Sequence, residues 1–212
     1  MLEIEDVKIT WLGHASFKIN VNDKIIYLDP FKLDGGDQAD LILITHDHFD
    51  HCSPEDVQKI QKEDTLIIYA GECKLTGNTI LIKPGEEKEF EGIKIMAVPA
   101  YNVNKFREEN VPYHPKESNF VGFIIEVNGK RIYHAGDTDL IPEMDVVTAD
   151  VVLLPVGGKY TMDSREAAEA VKKINPSIAV PMHWGEIVGD ENSAKDFSRL
   201  CDCEVRILGK GE

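Results

Sequence analysis

Residues 41–51 read LILITHDHFDH, an apolar stretch followed at once by three histidines and two aspartates. A short apolar run of this kind is typical of a buried strand. The polar part has the pattern H-x-H-x-D-H, and imidazole with carboxylate is the donor chemistry that zinc and similar first-row cations prefer. The stretch therefore predicts a metal site directly after a strand, and it indicates a metal-dependent hydrolase.

The strand in this stretch belongs to an internal repeat. Residues 17–27, FKINVNDKIIY, match residues 123–133, FIIEVNGKRIY, at seven of eleven positions. Both segments alternate apolar residues around an Asn-Asp or Asn-Gly pair, which favours a β-hairpin with a primed turn. The matching features are, in chain order, the two hairpins, then Asp29 and Asp137, strands at 39–44 and 149–154, helices at 53–60 and 163–174, and strands at 65–69 and 178–180.

Two β-rich halves, each with a crossover helix, predict an α/β fold of two mixed sheets with helices outside. We expect one domain over residues 1–212, with halves of about 1–115 and 116–212. The chain is 42% hydrophobic and 29% charged, which allows one sizeable core and argues against disorder. No run approaches the roughly 18 apolar residues of a membrane span, and the start MLEIED does not resemble an export signal.

The four cysteines are irregularly spaced, which does not suggest a disulfide framework and suits a reducing compartment. We therefore expect a cytoplasmic protein without a membrane partner. Its net charge of -15 argues against nucleic acid, because proteins that bind polyphosphate backbones rely on clustered Lys and Arg. A small, anionic substrate is still compatible, since a metal's own charge dominates such a site. The oligomeric state is left open.

Three motifs follow one another across nearly the whole chain: THDHFDH at 45–51, YHAGDT at 133–138 and PMHW at 181–184. Together with WLGHASF at 11–17, they resemble the metallo-β-lactamase superfamily and its small UlaG-like branch of metal-dependent hydrolases. The resemblance implies a four-layer αββα sandwich with a metal site at one edge between the halves.

The resemblance also implies two divalent metal ions, with zinc favoured and manganese, nickel or iron as alternatives. Each predicted ligand is carried over by its place in these motifs. His46 and His48 would hold the first metal, Asp50, His51 and His183 the second, and Asp137 would bridge both.

One position departs from the superfamily pattern. A third histidine usually follows the strand that corresponds here to residues 93–100, whereas this chain has Asn102. Asn102 itself could occupy the ligand position, or His114, twelve residues later, could act as a replacement ligand or a substrate contact. His14 and His134 are further candidates, either for proton transfer and substrate binding or for orienting the ligands through hydrogen bonds.

The mechanism expected from two metals is attack by a metal-bound hydroxide on a small ester, lactone or phosphodiester. Asp50 and His134 are the candidate catalytic residues. The loop at 102–118 carries Lys105, Arg107 and Lys116 and is expected to cover the pocket and to meet an anionic group. Two alternatives stay open: a di-iron-type oxidoreductase, in which Glu would be usual at the position of His48, and a metal-binding protein without hydrolytic activity.

Overall fold

Two units of packed chain make up the computed structural model, which describes residues 1–212. The first unit contains residues 1–82 and 208–212, and the second contains residues 83–207. Each unit has its own seven-stranded sheet. The longest helix has 11 residues, and none qualifies as a membrane-spanning segment.

The strands of the first unit lie in the sheet in the order in which they occur in the chain. They are β1 (Leu2–Ile4), β2 (Val7–Gly13), β3 (Ser16–Val21), β4 (Lys24–Leu28), β5 (Ala39–Ile44), β6 (Gln61–Tyr69) and β7 (Asn78–Leu81). Strands β1 to β4 pair antiparallel, and β4 to β7 pair parallel. Helix α1 (Pro54–Ile60) connects β5 to β6 and begins as expected, because the Ser53 hydroxyl caps its first turn and Pro54 opens it.

The second unit contains the other sheet, with the order β16-β15-β14-β13-β12-β9-β8. Its strands are β8 (Glu87–Phe90), β9 (Ile93–Pro99), β12 (Val121–Val127), β13 (Lys130–His134), β14 (Val151–Pro155), β15 (Ile178–Met182) and β16 (Glu204–Val205), with a separate two-stranded hairpin of β10 (Phe106–Glu108) and β11 (Val111–Pro112). Its helices are α2 (Ser164–Ile174) and α3 (Glu191–Leu200), and short 3-10 turns occupy Lys116–Ser118 and Pro142–Val146.

The repeat predicted from the sequence is visible in the order of elements. The succession β3-β4-β5-α1-β6 in the first unit corresponds to β12-β13-β14-α2-β15 in the second. Both hairpin turns have two central residues in the left-handed region, Asn22 and Asp23 in one and Asn128 and Gly129 in the other. Primed turns require this conformation, and Asn, Asp and Gly adopt it at low cost. The predicted α/β class with two mixed sheets is confirmed.

Parallel pairing determines where the polar residues are placed. Because β4 and β5 run parallel, Asp29 and the histidines after Ile44 leave the same edge of the first sheet. In the second sheet, β13 and β15 both run parallel to β14, so Asp137 and His183 leave one edge there. The carboxyl ends of parallel strands are the usual place for functional loops in α/β folds.

Each unit buries its own apolar cluster. In the first unit, Val57 and Ile60 of α1 pack with Ile42 and Ile44 of β5. In the second, the cluster includes Ala167, Ala170 and Val171 of α2 with Phe197 of α3, which is fully buried. Helix α3 was not predicted, although Asp190 caps it, and Ala194 and Phe197 have the i, i+3 spacing of an apolar helix face.

Replacing Asp163 by Ala should destabilise the protein by about 1 kcal/mol, because the Asp163 carboxylate accepts hydrogen bonds from Arg165 N and Glu166 N at the start of α2. For a chain of this length we expect the melting temperature to fall by about 2–4 °C. Asp163→Ser keeps a capping oxygen and should lose much less. Glu169→Ala, on the exposed face of α2, is the control and should change the melting temperature little; an equal loss in that variant would contradict the capping role.

Candidate metal centre

The predicted ligands of the first unit lie in the loop between β5 and α1. His51 N and Cys52 N both donate to His48 O, so the loop turns tightly and brings its side chains together. The rings of His46 and His51 are 4.0 Å apart between centroids, and those of His46 and His48 are 4.7 Å apart. His46, Asp50 and His51 are buried, and His48 is half-buried.

His14 joins this cluster from the turn between β2 and β3. Its Nε2 lies 3.1 Å from Asp50 Oδ2, and the residue is fully buried. The ligand atoms of His14, Asp50 and His51 all lie within 4.8 Å of one another. This contact agrees with the expectation that His14 orients a metal ligand, because Asp50 is one of the predicted ligands.

Asp29 holds predicted ligands of the first unit in position through hydrogen bonds. Its buried carboxylate accepts hydrogen bonds from Thr45 N at 2.8 Å, from Thr45 Oγ1 at 2.7 Å and from His51 Nδ1 at 2.7 Å. Since the Thr45 hydroxyl donates its only hydrogen to Asp29, it accepts at 2.9 Å from His46 Nδ1. Both imidazoles are thereby held with Nδ1 protonated and with the lone pair on Nε2, the arrangement found in histidines that bind metals.

From the sequence, Asp29 is recognisable only as the repeat partner of Asp137, without this role. The signal that could have found it was the position itself, an aspartate at the end of a strand parallel to the one that carries the histidines. Its backbone has a φ of 43°, in the left-handed region that is uncommon for residues other than glycine.

The second unit brings two predicted histidines to one predicted carboxylate. Asp137 Oδ2 lies 3.0 Å from His183 Nε2 and 3.3 Å from His114 Nε2. All three side chains are buried. His183 has a φ of 58°, and a Cβ at Gly157 would lie 2.5 Å from His183 O, so Gly157 permits the close approach of this loop.

His134, a candidate catalytic residue, is the last residue of β13 and is 0% exposed. Its Nδ1 accepts a hydrogen bond from Gly136 N at 3.2 Å, which assigns the proton of a neutral ring to Nε2. This contact holds the turn that carries Asp137. A role in proton transfer stays a prediction for His134.

The basic residues of the 102–118 loop are largely paired inside the second unit. Lys105 Nζ bonds Glu166 Oε2 at 2.7 Å, and Lys116 Nζ bonds Glu143 Oε1 at 2.9 Å. Burial alone would raise the pKa of Glu166, but hydrogen bonds from Lys105 and Asn104 lower it below its usual value. Arg107 is exposed. An anionic group that bound these lysines, as expected from the sequence, would therefore have to compete with the carboxylates of Glu166 and Glu143.

The cysteines add no metal ligands. Cys52 forms a disulfide with Cys73, a bond that the irregular cysteine spacing did not predict. Cys201 and Cys203 are free, and burial raises the pKa of the Cys201 thiol to about 12. A metal binds the thiolate rather than the thiol, so this pair is poorly suited to hold an ion.

The donor sets of the two units fit a divalent cation. They consist of imidazoles and carboxylates only, they are mostly buried, and Asp29 and Thr45 hold two of the imidazoles by Nδ1. Buried carboxylates are costly unless they are paired or coordinate a metal, and buried imidazoles are costly unless their nitrogens have partners. Zinc, manganese, nickel and iron all accept such ligands.

Comparisons with known proteins agree with this chemistry. The family model described as a β-lactamase superfamily domain matches residues 8–183. A UPF0173 metal-dependent hydrolase of Thermoplasma acidophilum is 39% identical over 199 residues, covering 85% of this chain and 84% of that protein. Another from Methanopyrus kandleri is 34% identical over 231 residues, covering 97% of this chain and 98% of that protein.

Solved structures give the same result. A candidate metal-dependent hydrolase from Parabacteroides distasonis has a TM-score of 0.83 at 36% identity, over 95% of this chain and 92% of that one. A metallo hydrolase of the archaeon Ignicoccus hospitalis has a TM-score of 0.78 at 26% identity, over 97% and 96%. This chain therefore belongs to the metallo-β-lactamase superfamily, and it is one of that superfamily's metal-dependent hydrolases.

Proposed function

We propose that the protein is a binuclear hydrolase, loaded with zinc, that cleaves a small anionic ester, lactone or phosphodiester. The observation that supports this most directly is the pair His46 and His51, whose Nδ1 atoms are both held by the Thr45 and Asp29 network. Fixing Nδ1 in this way leaves the lone pair on Nε2 for a metal, which is the arrangement found in histidines that bind metals.

The assignment of ligands follows the superfamily motifs. In this proposal His46 and His48 would hold one metal, Asp50, His51 and His183 would hold the other, and Asp137 would serve as a ligand of both. A divalent metal ion supplies Lewis acidity when bound, so that hydroxide is available as a nucleophile near neutral pH.

The protein's own groups would then orient the reactants and move the protons. Asp50, whose Oδ2 is engaged by His14 Nε2, is the candidate acceptor for the proton of the attacking water. His134 is the candidate donor to the leaving group through Nε2, since its Nδ1 is occupied by Gly136 N. Arg107 is exposed and could bind a substrate anion directly. Lys105 and Lys116 could do so only after breaking their ion pairs with Glu166 and Glu143.

The proposal is tested by metal analysis followed by a substrate screen. We expect purified protein to contain close to two equivalents of zinc, to lose its activity after treatment with a chelator and to regain it with added zinc. The reloaded enzyme is assayed against phosphodiesters, lactones and thioesters, with chelated protein as the control. Bound iron together with oxygen consumption would instead identify an oxidoreductase. Bound metal without turnover of any substrate in the screen would indicate a metal-binding protein without hydrolytic activity.

A further inference from the structure

The position after β9 is where this chain differs from the superfamily pattern, because it has Asn102 in place of a histidine. The structure shows what Asn102 does. Its Oδ1 accepts hydrogen bonds from His114 N at 2.7 Å and from His114 Nδ1 at 2.9 Å, and its Nδ2 donates to Asp139 Oδ1 at 3.0 Å and to Tyr160 O at 2.9 Å. All four hydrogen-bonding positions of the amide are thus used.

The orientation of this amide is determined by its neighbours. A carboxylate and a carbonyl can only accept, so the NH2 group must face Asp139 and Tyr160, and Oδ1 must face His114. Asn102 is only 6% exposed, so binding a metal would require it to give up these hydrogen bonds without water to replace them. It is therefore placed to hold a ligand and is poorly placed to be one.

The backbone brings His114 back to Asn102. The hairpin of β10 and β11 closes the intervening loop, and Asn102 N donates to His114 O at 2.9 Å. Twelve residues of separation are thereby reduced to direct contact, and the imidazole of His114 lies against Asn102, three residues beyond the end of β9.

His114 faces Asp137 with the nitrogen that a metal would use. Because Nδ1 donates to Asn102, a neutral ring carries its lone pair on Nε2, and that atom lies 3.3 Å from Asp137 Oδ2. His183 Nε2 lies 3.0 Å from the same oxygen. The lone pair of His114 Nε2 thus faces a carboxylate oxygen that is also an acceptor. Two acceptor atoms at this distance are typical of ligands that share one cation.

We propose that His114 supplies the missing imidazole ligand, to a metal ion that it shares with Asp137, and that Asn102 is the residue that positions it. The inference rests on the proposed metal site and assigns its third histidine. Asp139 completes the arrangement, since its buried carboxylate also accepts from Val103 N at 2.7 Å and Asn104 N at 2.8 Å. The turn at residues 137–139 thus carries one proposed ligand, Asp137. It also carries Asp139, which fixes the loop that positions the second proposed ligand, His114.

The test measures metal content and affinity in the full-length protein. We expect His114→Ala to lose one equivalent of zinc relative to the wild type, and Asn102→Ala to keep both under excess zinc with about 10–100-fold weaker affinity at one of them. Asn104→Ala is the matched control, the same residue type in the same loop, and should bind zinc like the wild type. His114→Gln, which keeps a donor for Asn102, replaces the alanine variant if that one does not fold.

A second readout separates coordination from structural support. In His114→Gly, added imidazole should restore the missing equivalent and return the cobalt-substituted absorption spectrum toward that of the wild type. Unchanged zinc content and affinity in His114→Ala and His114→Gln would overturn this inference while leaving the proposed function intact. A wild-type protein that binds no divalent metal would overturn both.

Discussion

Replacing His48 by Ala is expected to lower turnover by about a thousandfold or more, because a metal ion contributes several kcal/mol to stabilising the transition state and each factor of ten in rate corresponds to about 1.4 kcal/mol. His48 is assigned to the first metal together with His46, and their rings are 4.7 Å apart. Loss of this imidazole leaves that metal with fewer protein ligands. Activity is measured on whichever substrate the screen identifies, at saturating zinc.

The folded state should tolerate this substitution. His48 is only half-buried, so its removal leaves no large cavity, and the circular dichroism spectrum should be unchanged. Asp47→Asn is the matched control in the same loop, since Asp47 Oδ2 accepts from Glu72 N at 2.7 Å and an amide oxygen can replace it. Turnover by His48→Ala equal to that of Asp47→Asn would remove His48 from the site.

Replacing Asp29 by Ala should have the largest effect on stability, about 3–5 kcal/mol, because it breaks a buried network and leaves several buried donors without their acceptor. The donors concerned are Thr45 N, the Thr45 hydroxyl and His51 Nδ1. Chemical denaturation of the metal-free protein measures this loss without a contribution from bound metal.

Asp29→Asn separates stability from ligand orientation. Its side chain is nearly isosteric and keeps one acceptor oxygen, so the loss of stability should be smaller than in Asp29→Ala. An NH2 group now faces one of the donors, which disturbs the tautomers of His46 or His51, and zinc affinity should still fall by about 10–100-fold. Wild-type zinc affinity in Asp29→Asn would show that the carboxylate does not orient the ligands.

The elements that could be predicted from the sequence are those specified by nearby residues. Asn22 with Asp23 and Asn128 with Gly129 determine their turns through their own backbone preferences, and Ser53 and Asp163 begin their helices through contacts within one turn. Such contacts involve residues at most a few positions apart, so composition and spacing are sufficient to recognise them.

The candidate ligands were also recognisable, because most of them lie in one run and the others follow strands of a repeated pattern. Their supporting contacts were not. Asp29 meets His51 across 22 residues, Asn102 meets Asp139 across 37, and Lys105 meets Glu166 across 61. Contacts between residues so far apart in the sequence depend on how strands pair and how loops close.

By itself the sequence determined the fold class and the repeated order of elements, and it predicted which residues could bind a metal, because local propensity and donor chemistry are properties of short segments. Only the tertiary structure decided that Asn102 binds His114, that Asp29 holds His51 directly and His46 through Thr45, and that Lys105 and Lys116 are paired with carboxylates. The physical reason is that the partner of a buried polar group is selected by packing, since every donor and acceptor removed from water must be satisfied by whatever the fold brings next to it.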